Sequence, residues 1–582
     1  MVLKWNLKPL FVSNDAFYEE IKKIRQLLTN IKQYEKIALD DKTMLAMLNE
    51  KWYIKELTNN LLVYGSLRYY QNIKDDERLK MKQIAENFSN QVNVELTFID
   101  RKILALGKEM IDSFLKQNTQ LTIYRLSLDN LFRMQEHVQD SQINEVISNN
   151  LNDINNQLAL YNNILKDIKY GEIEIDGQIS EITAATFGKY LALRNRDIRK
   201  QVYLTVNRQF QKEEEKFAQI LNRLFDDRVQ NAQLAGYRSV LEKVLFEENI
   251  DSKIIDVLIK TVNDNLYLMQ QYLTIKAQLL NIDKPHLYDF SVPIDNNLPI
   301  QYSLEEAINI IKKALKPLGN EYLDVFEYLL DGHIDAEISE NKHQSITFSW
   351  NTYTFMNFQG SYVDLKNLAH EIGHIVNYYL SQKNLPFLYE DSTIFVGEVA
   401  AIVNEILLNK YLYDNAQTDE ERIFYLSKEI DNFVTSVFKQ TMYTELEKDL
   451  YNLKLLQPLS VHIVSECYTK LLKKYYGNNV IYDDESGIEW TRLGHIYRWS
   501  YYPYKYATGL MIASNVVNAL LNDKTLLKEQ YIQFLSSGSS MYSLELLKIL
   551  NIDLTNYNIM ENGFNVLRKD IDKLKKILSL RK

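Results

Sequence analysis

Apolar residues recur at helical rather than alternating spacing through most of this chain. The runs Phe17 to Leu39, Leu45 to Tyr70 and Ile99 to Phe114 place them three and four positions apart, as amphipathic helices require. No proline stands between Pro9 and Pro285, so nothing there forces a long helix to stop. The stretch Asn144 to Leu165 is rich in asparagine, yet Val146, Ile147, Leu151, Ile154, Leu158 and Ile164 keep the helical period. It is read as helix too. The pattern changes at Gly171, where Ile173 and Ile175 alternate with Glu172 and Glu174 ahead of Asp176-Gly177, which predicts a short strand or hairpin. That change marks the expected boundary between an N-terminal helical lobe, residues 1–190, and a second domain, residues 191–582.

One later helix carries chemistry. From Ser361 to Leu380, the residues Leu365, Leu368, Ala369, Ile372, Ile375, Val376 and Tyr379 form an apolar stripe, and Ser361 with Asp364 makes a capping box. Within it stands His370-Glu371-Ile372-Gly373-His374. Four residues are a little more than one turn, so both imidazoles leave one face and can reach a single metal ion. Glu371, one step around, is placed to take a proton from water activated by that ion. With only 8 histidines in 582 residues, such spacing is an uncommon coincidence. Gly373 is out of place in a helix, where glycine costs roughly 1 kcal/mol against alanine, and close approach by another backbone accounts for it.

A catalytic zinc site needs a third protein ligand and leaves a fourth position open. A third histidine six residues past His374 is excluded, because Leu380 stands there. Downstream, Ser392 or Thr393 can cap a second helix on which Glu398, Ala401 and Glu405 share a face, and Ala400-Ala401 would let it lie close to the first. Glu398 is the expected third ligand. Glu405 is expected to orient one of the histidines from behind.

Together these stretches resemble the oligoendopeptidase F branch of the thimet oligopeptidase family of zinc metallopeptidases. The resemblance rests on Ser349-Trp350-Asn351-Thr352-Tyr353 and Asn357-Phe358-Gln359-Gly360 ahead of the His-Glu-x-x-His helix. It continues in Phe395-Val396-Gly397-Glu398-Val399-Ala400 and Asn404-Glu405 after it. It covers essentially the whole chain, from Trp5-Asn6-Leu7 through Arg194–Arg199, Leu234–Glu242 and Lys284–Ile294 to Phe534–Ser540, and is strongest from 280 to 550. The resemblance implies a mostly α fold, with two helical lobes enclosing a deep catalytic channel and a small β-sheet beside the zinc helix. It implies one zinc ion per chain, held by His370, His374 and Glu398, with Glu371 as general base. The implied activity is hydrolysis of internal peptide bonds in short oligopeptides. Two alternatives stand beside it: a dipeptidyl carboxypeptidase of the same family, and a non-catalytic peptide-binding protein, against which the intact Glu371 argues.

A further constellation begins at His495 and runs through Tyr497, Tyr501, Tyr502, Tyr504 and Tyr506 to Ala507-Thr508-Gly509. Amide hydrolysis puts negative charge on the carbonyl oxygen, and a histidine or tyrosine can donate a hydrogen bond to it. With 40 tyrosines in the chain, a cluster alone says little. The resemblance implies His495, with Tyr501 and Tyr504, in that role. The chain carries one residue more between the histidine and Ala507 than the family pattern. His137, His286, His333, His343 and His462 stand singly, without ligand spacing.

Composition narrows the partners. A formal charge of −10 argues against nucleic acid, which wants a basic patch. Cys467 is the single cysteine, so no internal disulfide can form and a reducing compartment is expected. The first ten residues lack a long apolar core, and no window of 18 apolar residues occurs, so no membrane span is expected. The expectation is a cytoplasmic enzyme whose partners are oligopeptide substrates; the sequence does not set its oligomeric state.

Overall fold

Helices start and stop where side chains can satisfy their free backbone groups. The computed structural model describes residues 3–137, 141–175, 177–294, 300–343, 346–393, 395–523 and 528–580; Asp176 of the expected turn lies outside them. The helices of the chain include α1 (Asn14–Ile31), α2 (Asp41–Gln71), α3 (Asp76–Leu106), α4 (Ser141–Asp167), α5 (Glu214–Leu234), α6 (Tyr362–Asn384), α7 (Val399–Asn415), α8 (Gln440–Lys454) and α9 (Pro503–Asn518). Ser13, Asp40 and Asp75 cap α1, α2 and α3 by accepting N–H bonds from the first turn. The fold is mostly α, with two small sheets among the described residues.

Two of the expected runs are shorter than their periodicity suggested. The run from Phe17 to Leu39 is α-helical only to Ile31 and passes into a 3-10 turn, Lys32–Glu35. The run from Ile99 to Phe114 breaks at Gly107, whose φ of 81° ends α3 and lets a new helix begin at Lys108. The asparagine-rich stretch is helical within α4, and β1 (Glu172–Ile175) pairs antiparallel with β2 (Gln178–Glu181).

The chain forms two compact units interleaved in sequence. One comprises residues 1–136, 300–408 and 519–551; the other comprises 137–299, 409–518 and 552–582. The position near 190 falls within the first segment of the second unit, just past the β1–β2 hairpin.

In the first unit, Phe17, Ile24, Met44, Leu48, Ile54, Leu61, Met81, Phe88 and Ile99 of α1, α2 and α3 interlock in a core. Each such side chain, fully withdrawn from water, contributes roughly 1.5–3 kcal/mol. The same unit holds a three-stranded sheet of β3 (Ile334–Asp335), β4 (Phe348–Trp350) and β5 (Tyr353–Phe355). β5 lies in the middle, parallel to β3 and antiparallel to β4. Trp5 docks on it, its ring 5.5 Å from Phe355 and its Nε1 donating to the His333 carbonyl at 3.0 Å. Lys342 is buried and fastens the loop between β3 and β4. It pairs with Asp335 at 2.8 Å and donates to the carbonyls of Glu337 and Met356.

In the second unit, α4 runs along α5. Asn150 donates to Asn231, Arg223 pairs with Asp153, and Tyr161 packs edge-on against Phe217. No helix among the described residues is long and apolar enough to cross a membrane.

Candidate metal centre

The chain enters α6 through Gly360, whose φ of 88° suits only glycine comfortably and whose missing Cβ makes room for the Tyr302 carbonyl. Ser361 caps the helix, and Asp364 returns the bond by accepting from Ser361 N–H at 3.0 Å. The expected capping box is present.

α7 lies directly on α6 at Gly373. A Cβ there would stand 2.5 Å from Ala401 Cα and 2.7 Å from the Ala400 carbonyl. Asn404 fastens the pair, donating to the Ala369 carbonyl at 2.9 Å while accepting from the Tyr322 hydroxyl at 3.0 Å. Gly373→Ala is therefore expected to cost at least about 2 kcal/mol, since the overlap is with main chain that cannot rotate away. Parallel loss of zinc affinity is expected, because α7 and the turn before it bring Glu405 and Glu398 to the histidines. Chemical denaturation and zinc titration check this; a variant matching the parent in both would refute it.

Glu398 stands on the turn immediately before α7, its carbonyl accepting the Ile402 N–H at 3.0 Å. The expected caps are used elsewhere: Ser392 donates to Asn377 and Thr393 pairs with Ser543. These bonds tie the loop after α6 back to its own unit, and the helix starts later than the sequence suggested.

The ligand atoms form a compact triangle. His370 Nε2 lies 3.1 Å from His374 Nε2, and Glu398 Oε2 lies 3.4 Å from the first and 3.6 Å from the second. Metal–ligand bonds of about 2.0–2.1 Å at tetrahedral angles set donor atoms about 3.3–3.4 Å apart. The triangle therefore has the size of one face of a zinc tetrahedron, and the residues fit the ion. They are the group of metal-ligating side chains found among the described residues. Zinc bound there would leave the fourth vertex to water or substrate.

The surroundings prepare these groups. His370 Nδ1 contacts Glu405 Oε1 at 2.7 Å, and Lys366 holds the other Glu405 oxygen at 2.9 Å. With Nδ1–H committed to Glu405, Nε2 carries the free lone pair. Burial works against the charged form of His370, but Glu405, with Glu371 and Glu398, outweighs it and the pKa is raised. Burial and the neighbouring His370 push His374 down to about 3, so its ring is neutral near neutral pH and able to ligate. Glu371 is buried, and burial raises its pKa. Ser349 Oγ on β4 donates to Glu371 Oε2 at 2.5 Å and also pairs with Thr354 on β5. That leaves Oε1 as the free proton acceptor. In the sequence Ser349 is one residue of the Ser-Trp motif, and its hydroxyl there is the one local sign of a hydrogen-bonding role.

The His495 segment belongs to the second unit. His495 is half-buried, its ring parallel to Tyr502 at 6.1 Å and edge-on to Tyr506 at 5.6 Å, with Trp499 at 6.2 Å. Burial, then the charge of Arg498, lowers its pKa. Tyr501 and Tyr504 are buried. Tyr501 packs on Tyr451, and the Tyr504 hydroxyl donates to Glu248 at 3.3 Å. The tyrosine rings that pack beside His495 include Tyr502 and Tyr506.

A helical chain that presents His-Glu-x-x-His on one helix and a glutamate at the start of the next is built as a metallopeptidase. Comparison agrees: the description of Peptidase family M3 matches residues 189–566, and the chain belongs to that family. Among curated relatives, Oligopeptidase PepF of Bacillus subtilis is 28% identical, covering 99% of this chain and 87% of its own length. An Oligoendopeptidase F homolog of Borreliella burgdorferi is also 28% identical, covering 99% and 98%. Among solved structures, a peptidase from Chlamydophila abortus superposes with a TM-score of 0.90 at 26% identity, covering 99% of this chain and 98% of that one. Oligoendopeptidase-F from Enterococcus faecium follows at 0.75 and 23%, covering 98% and 100%, a likeness of fold.

Proposed function

We propose that this metallopeptidase is zinc-dependent and hydrolyses internal bonds of short oligopeptides, with His370, His374 and Glu398 as ligands and Glu371 as general base. The observation that carries the reading is the tetrahedral-face triangle of donor atoms beside a buried carboxylate with one free oxygen. Zinc supplies Lewis acidity towards water and the scissile carbonyl.

The remaining steps belong to this chain's side chains. Glu371 Oε1 takes a proton from the attacking water as the oxygen–carbon bond forms, and Ser349 keeps the carboxylate turned for that transfer. The raised pKa makes it a stronger base while leaving it able to give the proton up. As the carbon–nitrogen bond breaks, Glu371 passes the proton to the leaving amine. His495, neutral at working pH, donates one N–H to the developing oxyanion, with a tyrosine hydroxyl of its cluster, Tyr502 or Tyr506, as second donor. The relatives' names speak of oligopeptides, and the same substrate class is adopted here. The single cysteine suits a reducing, cytoplasmic compartment.

Size selection is the expected consequence. The side chains of His370 and His374 keep about a quarter of their exposure, 24% and 27%, and Glu371 is buried. A scissile bond reaches such a centre only in extended, flexible form. One cleavable sequence offered as a free peptide is expected to be cut internally; the same sequence in a rigid loop of a stable folded domain is expected to resist. Mass spectrometry of the products decides, and equal cleavage of both, or release of C-terminal dipeptides alone, would overturn the reading.

A further inference from the structure

We propose that Glu447, backed by Arg228 and Tyr451, is a positioning residue that sets the course of the segment from His495 to Tyr506. This rests on the functional reading of His495 given above. Glu447 on α8 has no exposure, and both its carboxylate oxygens face one partner, the Tyr501 N–H, at 3.0 and 3.1 Å. Tyr501 adopts a φ of 53°, a left-handed conformation that a bulky residue holds only when its surroundings over-determine it. Arg228 on α5, also buried, donates to the carbonyl of Ile496 at 2.9 Å and to that of Tyr497. The Tyr451 hydroxyl pairs with Ser500 Oγ at 2.8 Å, and its ring stacks on Phe225 and Tyr501.

These contacts divide the segment in two. The buried groups grip the main chain at 496, 497 and 501 and the side chain at 500. The rings of His495, Trp499, Tyr502 and Tyr506 pack on one another instead. Burying a carboxylate and a guanidinium is expensive, and apolar residues would fill the same volume at lower cost. Burial pushes the Glu447 carboxyl up to about 8, even though the Tyr501 N–H and Arg228 favour its charge. Such a group makes sense where one backbone conformation must be selected over others, and here that conformation directs the four aromatic rings.

The test uses full-length, zinc-loaded protein. Glu447→Leu removes the acceptor at similar volume, whereas Glu447→Gln keeps an amide oxygen for the Tyr501 N–H. Hydrogen exchange of a peptide spanning 495–506 is expected to quicken at least about ten-fold in E447L, while one spanning 362–384 is unchanged. Turnover is expected to fall about ten- to a hundred-fold with KM little altered. E447Q restores both, and E447L adds nothing in a His495→Ala background. Tyr451→Phe, a milder change, carries the same exchange and kinetic measurements if E447L does not fold. Unchanged exchange across 495–506, or multiplying effects of E447L and H495A, would overturn the proposal. Parent-like activity of H495A alone would instead remove His495 from the mechanism, and the exchange result then decides the role of Glu447 by itself.

Discussion

Glu371→Gln is expected to bind zinc as the parent does and to lose at least about a thousand-fold in kcat, the scale of a deleted general base. The substitution is isosteric, and its amide oxygen can still accept the Ser349 hydroxyl that now bonds to Oε2. Packing, and the triangle formed by His370, His374 and Glu398, should therefore persist. What the amide cannot do is accept a proton from the attacking water. Metal analysis of the dialysed protein, beside kcat on an internally quenched peptide, separates binding from chemistry. A variant that kept zinc and turned over within ten-fold of the parent would remove Glu371 from the role of base. Ser349→Ala should show a smaller fall, since it loosens the carboxylate without removing it.

The second large effect is on the metal itself. The parent should hold about one zinc per chain, and His370→Ala, His374→Ala and Glu398→Ala should each lose it on dialysis. Each removes one vertex of a triangle whose edges are 3.1, 3.4 and 3.6 Å, and two donors cannot hold the ion at catalytic geometry. Glu405→Gln makes the informative contrast. It contacts His370 Nδ1 rather than the ligand triangle, so it should keep zinc with affinity reduced about 10- to 100-fold. Full zinc retention in all three alanine variants would sink the assignment. Loss in E405Q as complete as in E398A would show that Glu405 ligates directly.

Local spacing carried the centre of this protein. The four-residue interval of His370 and His374 places them on one face of any α-helix, whatever surrounds it. The cost of Gly373 within that helix pointed to a second backbone, and Ala401 lies where its Cβ would be. Capping by Ser361 and Asp364 was equally local. The helical period likewise announced α2 and α4, and alternation announced β1 and β2.

Other features depended on the tertiary structure. Gly107 ends α3 inside an unbroken apolar run, because the run continues on the next helix and periodicity alone does not register the change of direction. Ser349 reaches Glu371 from 22 residues upstream through the pairing of β4 with β5, a contact that no window around α6 contains. Around His495, the family resemblance pointed to Tyr501 and Tyr504, and the spacing of the tyrosines does not show that Tyr501 takes a left-handed conformation in that turn. The rings of Tyr502 and Tyr506 pack beside the histidine, a grouping that only the folded turn displays. The interleaving of the units was hidden for the same reason. Helical spacing repeats every 3.6 residues and is written in neighbouring positions, whereas the pairing of distant segments is settled only when their apolar faces and buried polar groups compete for partners along the whole chain.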